Sequence, residues 1–155
     1  MIKPIVIVAP HADDEIIGCY ELLSKGLVDT VLFPNERAIQ EAIAMSDYFE
    51  VSLGLLEHCD LDVSDKTLFF PDPTYEIHPA HRNLGAMGEE LLRRGQAVCF
   101  YTTNMSAPYI HEVTAAKDKC HCLNLLYPNK KELWEYEHKY FLFEGYVKWL
   151  MKWRD

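Results

Sequence analysis

The chain has 155 residues, 49% of them hydrophobic, enough for one compact domain over residues 1–155 with a substantial core and too little for two. Its net charge of −9, from 24 acidic against 15 basic residues, argues against duplex nucleic acid as the main partner, because phosphate binding rests on clustered Lys and Arg. Five cysteines without a CxxC spacing, and no apolar run near the roughly 18 residues of a membrane span, lead us to expect free thiols in a soluble, cytoplasmic protein with no membrane span.

Residues 3–9 (KPIVIVA) form a near-continuous branched run, the pattern of a strand buried on both faces of a parallel sheet. A helix is predicted from about Asp14 to Lys25, with Ile17, Leu22 and Leu23 on its inner face and Gly26 at its end. LVDTVLF (27–33) reads as a second strand, and PNERAIQEAIAMSDYFEVS as one helix opened by Pro34. LGLLEHCDL suggests a third short strand. A loop rich in Asp, Pro and Thr follows, holding an edge strand at Thr67–Phe70. HRNLGAMGEELLRRG reads as a helix closed by Gly95, QAVCFYTTN as a buried strand, and APYIHEV as a strand with Pro108 at its start or on a sheet edge. Thr114 is a candidate cap for AAKDKCHCLNLL, and KELWEYEHKYFLFEGYVKWLMKW is predicted to be one long aromatic helix, part of which could form a homo-oligomer contact. Strands alternating with helices give an α/β fold with a mainly parallel sheet.

In such sheets ligands bind beyond the carboxyl ends of the strands, near the point where strand order reverses. The segment PHADDE stands at that end of the first strand, and its three consecutive carboxylates need a compensating charge. His11 and Asp14 can aim at one point across a strand-to-helix turn, with Asp13 projecting to one side. Imidazole and carboxylate suit a cation such as Zn²⁺, which takes three protein ligands plus water at a catalytic site. EIHPAHRNLG offers His78 and His81 at a second junction, either of which can be the third ligand. The bland alternative is a helix start whose first-turn carboxylates favour the helix dipole, with surface imidazoles nearby. Asn104 lies at the correct sheet end to reach a ligand, although an asparagine there also suits a turn. CHC at 120–122 is a poor chelate, because helical residues two apart point in different directions.

PHADDEIIGC resembles the (A/P)HxDDE motif of the LmbE-like deacetylases, also called the PIG-L or N-acetylglucosaminyl deacetylase family, and HPAHRNLG resembles that family's HPDH motif. The resemblance extends over essentially the whole chain. It implies a Rossmann-like three-layer fold and hydrolysis of an acetamide, commonly on an N-acetylglucosamine unit that is free or carrier-linked, with Zn²⁺ or another divalent metal such as Fe²⁺. It further implies His11, Asp14 and His81 as metal ligands, Asp13 as general base, His78 as the group facing the developing oxyanion, and Arg37 as a substrate contact. The equally open reading of Arg37 is an exposed helix residue paired with Glu41. Two departures stand out. Ala80 replaces the HPDH aspartate, leaving Asp72 or Glu76 as substitutes to hold His78, and the chain is short, leaving little lid over the site. A larger N-acyl conjugate is the alternative substrate. The rivals are a metal- or sugar-binding protein of the same fold with impaired catalysis, and a nucleotide-binding domain; the latter lacks a glycine-rich phosphate loop.

Overall fold

A computed structural model describes residues 2–61, 65–105, 107–135 and 137–146. Strand β1 (Ile5–Val8) is buried along its whole length and leads into helix α1 (Asp14–Ser24). Strand β2 (Val28–Phe33) follows, then helices α2 (Glu36–Glu41) and α3 (Ile43–Phe49) and strand β3 (Ser52–Leu55). The single helix expected after β2 is thus two, divided at Ala42, and Asn35 caps the first by accepting from the Ala38 N–H at 2.9 Å. Strand β4 (Thr67–Pro71), helix α4 (Pro79–Arg93), strand β5 (Val98–Thr102), strand β6 (Ile110–Glu112) and helix α5 (Ala116–Leu126) come next. Short helices α6 (Glu132–Glu135) and α7 (Lys139–Leu142) and strand β7 (Phe143–Tyr146) close the described chain.

The strands form one seven-stranded mixed sheet in the order β3-β2-β1-β4-β5-β7-β6. The first five are parallel; β7 runs antiparallel to both β5 and β6. Alternation along β1 sends Ile5 and Ile7 into one core and Val6 and Val8 into another, on opposite faces of the sheet. The first core takes in α1 and α5, and the second takes Leu84 and Leu91 of α4. Helix α4 approaches the sheet closely because of its glycines: a Cβ on Gly85 would lie 2.6 Å from the Pro71 carbonyl and from the Pro73 nitrogen.

Three expectations are corrected. Thr67–Phe70 is not on an edge: β4 lies in the middle, paired with β1 on one side and β5 on the other. Thr114 does not cap α5, whose cap position is Ala115 without a side-chain hydrogen bond. The long C-terminal helix is absent over its described part, replaced by α6, α7 and β7, while Tyr136, Trp149 and Trp153 lie outside the described residues. The described aromatic residues of this stretch serve the chain's own core. Trp134 and Tyr146 are buried in the first core, and Tyr140, Phe141 and Phe143 pack against that core. A wholly buried ion pair joins these elements: Lys119 Nζ lies 2.9 Å from Glu144 Oε2 and donates to the Ile17 carbonyl at 2.7 Å. Among the described residues, no helix is long and apolar enough to cross a membrane.

Candidate metal centre

From β1 the chain moves outward through β2 to β3, then returns to the other side of β1 to begin β4. The order therefore reverses between β1 and β4, and a crevice opens beyond their carboxyl ends. The turn after β1 carries His11, Asp13 and Asp14, and the loop after β4 leads into α4 with His78 and His81. The first turn of α4 begins at Pro79, whose fixed φ suits that position. His78 caps it, its Nδ1 accepting from the Ala80 N–H at 3.0 Å. Because a backbone N–H can only donate, neutral His78 keeps its proton on Nε2.

His11 Nδ1, Asp14 Oδ2 and His81 Nε2 stand 3.3 Å from one another along all three edges of a triangle. A tetrahedron with metal–ligand bonds of about 2.0–2.1 Å has edges of about 3.3–3.4 Å, so the three atoms fit one face of such a site. Two imidazoles and a carboxylate are suitable donors, and this group could hold a metal ion. His78 completes a cluster of three imidazoles, its ring centre 5.0 Å from that of His11 and 5.3 Å from that of His81.

The surroundings hold these groups in place. His81 Nδ1 lies 3.1 Å from Oε1 of the buried Glu76, which also accepts from the Thr103 N–H at 2.9 Å and the Thr103 hydroxyl at 2.6 Å. Glu76 is thus fastened to the end of β5 and orients a histidine that faces the crevice. Of the two carboxylates offered as substitutes for the missing HPDH aspartate, neither contacts His78. Glu76 serves His81, and Asp72 accepts from the Thr74 and Tyr75 N–H groups at 2.7 and 3.0 Å. Below Asp13, Glu15 accepts from the Asp13 N–H at 3.0 Å and from the Tyr127 hydroxyl, and Lys130 donates to the Ala12 carbonyl. Asp13 itself has φ 113°, a backbone conformation unfavourable for any residue with a Cβ.

Electrostatically the turn is a negative well. Burial would raise the Asp14 carboxyl, but hydrogen bonds with His11 and His81 outweigh it and hold the group at about 2. Burial would lower His81, yet its contacts with Asp14 and Glu76 raise it to about 10. Asp13 is pushed well above the carboxylate range by burial and by Asp14, against the opposing charge of Lys130. Burial takes Glu15 up to about 7 despite its bond from Tyr127. A divalent cation among these groups would offset the crowded negative charge.

The structure brings His11, Asp13, Asp14, His78, His81 and Asn104 to one cleft of about 730 Å³. The Asn104 side chain is engaged within the protein, its Nδ2 donating to the Tyr75 carbonyl at 2.5 Å. Arg37 is not in this cleft. It is 87% exposed, 3.4 Å from Glu41, and lines a smaller hollow beside it. CHC forms no metal group with other described residues. Lys130, which no local sequence pattern marks, lines both hollows from a position over a hundred residues beyond the turn it touches. Comparison with protein-family models, curated proteins and solved structures finds no match.

Proposed function

We propose that this protein is a metal-dependent hydrolase of N-acyl amides of the LmbE-like kind, acting on an acylated amino sugar of the N-acetylglucosamine type. The observation that carries the reading is the 3.3 Å triangle of His11, Asp14 and His81 at the point of strand reversal, with Asp13 and His78 lining the same cleft. The mixed sheet with a core on each face is compatible with the Rossmann-like layout that the sequence motifs imply. His11, Asp14 and His81 would hold the ion, with Zn²⁺ the default from donor type and spacing and Fe²⁺ the main alternative. Such an ion, when bound, lowers the pKa of water and polarises a carbonyl.

The remaining work falls to the protein. Asp13 accepts the proton that the attacking water loses and delivers it to the departing amine. His78, with Nδ1 occupied by the Ala80 N–H, presents Nε2–H to the oxyanion that develops on the acyl oxygen. Glu76 prevents His81 from turning away. Across the reaction the C–N bond breaks and a C–O bond to the water oxygen forms, giving a carboxylate and a free amine.

The test is elemental analysis of the wild type and Asp14→Ala, purified identically without chelator, followed by an assay for amine release from N-acetylglucosamine derivatives. About one ion per chain in the wild type, lost in the variant, together with amine release, is the expected result. No ion in either protein after reconstitution with Zn²⁺ or Fe²⁺ overturns the proposal.

A further inference from the structure

Two hollows meet at His11 and Lys130, which line both. The larger, of about 730 Å³, is walled beyond the reactive groups by Ile17, Ile77, Pro79, Leu133 and Tyr140. Ile77 and Leu133 are 75% and 49% exposed, so two large apolar side chains face water at the mouth of a reactive cleft. Two neutral polar side chains on this wall, Thr103 and Asn104, are engaged within the protein. The Thr103 hydroxyl donates to Glu76, and Asn104 is bonded through Nδ2 to the Tyr75 carbonyl and through Oδ1 to the Thr102 hydroxyl at 3.1 Å. A hydrocarbon laid along Ile77 and Leu133 would gain by leaving water. The smaller hollow, of about 330 Å³, carries the charged side chains Arg37 and Glu41, which pair with each other, beside Asn35, which caps α2. An acetyl group has two carbons and would leave most of the larger hollow to water.

We propose that the substrate is an amphipathic N-acyl amine whose acyl chain is longer than acetyl. The chain lies along Ile77 and Leu133, the polar amine portion occupies the hollow of Asn35, Arg37 and Glu41, and the scissile amide sits between them beside His11. This deepens the amide-hydrolase reading and rests on it. Water supplies the oxygen of the released fatty carboxylate, one of its protons ends on the amine, and no oxidant or reductant enters.

Two measurements on the Zn²⁺-loaded protein separate the inference from the reading beneath it. The first is calorimetric binding of acetohydroxamate and hexanohydroxamate, which probes the wall without any turnover. We expect the six-carbon compound to bind about tenfold more tightly or better, and Leu133→Asp or Ile77→Asp, both at exposed positions that tolerate charge, to bring that ratio near one. The second is kcat/KM for N-acetyl-, N-butyryl- and N-hexanoylglucosamine, expected to rise with chain length by a similar factor. Equal affinity for the two hydroxamates, or a preference for the acetyl substrate, overturns the inference and leaves an amide hydrolase standing. Chain-length-dependent binding with no amide cleaved at any length overturns the hydrolase reading, and the substrate assignment with it.

Discussion

His81 is held from both sides: its Nδ1 lies 3.1 Å from Glu76 Oε1, and its Nε2 lies 3.3 Å from Asp14 Oδ2. The carboxylate behind the ring fixes which nitrogen faces the crevice and makes that nitrogen a better donor to a cation. Glu76→Gln keeps the shape of the side chain and removes its charge. We expect Zn²⁺ affinity to fall roughly 10- to 100-fold, read by competition with a chromophoric chelator. An unchanged affinity would mean that Glu76 serves only to tie the loop to β5.

Asp13 combines burial with φ 113°, a conformation that glycine adopts freely and other residues resist. Asp13→Gly should therefore raise folding stability by about 1–3 kcal/mol in urea titration, while amide hydrolysis is lost. A variant that is both inactive and less stable than the parent would show that the strain is not stored at this residue.

His78 touches no metal-facing atom through a hydrogen bond of its own; its Nδ1 is spent on the helix it caps. His78→Ala should retain the ion at full stoichiometry and lower kcat by about 10²–10³, the scale of losing one donor to an oxyanion. Loss of the ion in this variant would place His78 among the ligands instead.

Much of this site was legible in the chain because it is local. PHADDE and HPAH each bring their reactive groups together within one turn, and the branched run before the first motif identifies a central strand. What joins the two motifs is not local. Glu76 stood out as a candidate partner for His78, but the path of the loop carries it to His81 and to Thr103, twenty-seven residues further on. Thr67–Phe70 lies in an Asp-rich stretch that suggests an edge, and its pairing with β1 on one side and β5 on the other cannot be read from so short a run. The C-terminal segment misled through composition. Its aromatic residues suit strands as well as helices, so composition alone does not separate α6 and α7 from β7. Glu144, which looks like a solvent-facing residue, is buried in β7 only because Lys119 waits in α5.

That pair gives a fourth expectation. Removing one partner leaves an uncompensated charge in the core, so Lys119→Met or Glu144→Leu alone should cost about 3–5 kcal/mol. The double substitution should recover most of that loss in chemical denaturation. Additive losses would show that the two side chains act independently of each other.

Gly85 sets how near α4 lies to the end of β4. Its missing Cβ would meet the Pro71 carbonyl and the Pro73 backbone, none of which is a flexible side-chain end. Gly85→Ala should destabilise the fold by about 1–3 kcal/mol and weaken Zn²⁺ binding in parallel, since His81 rides on the same helix. A stable variant with normal ion uptake would indicate that the 71–73 turn yields readily.

The position of β7 has a consequence for how the chain is made. Residues 143–146 are the last described strand, yet they lie inside the sheet, between β5 and β6. Until they leave the ribosome, β5 has an open edge that ends at residue 102. At roughly 5–20 residues per second, that edge waits several seconds for its partner. An unpaired strand edge is a template for other strands. The nascent protein is therefore most prone to misassembly while residues 103–146 are still being synthesised, and truncation before residue 143 should yield aggregates instead of a smaller soluble domain.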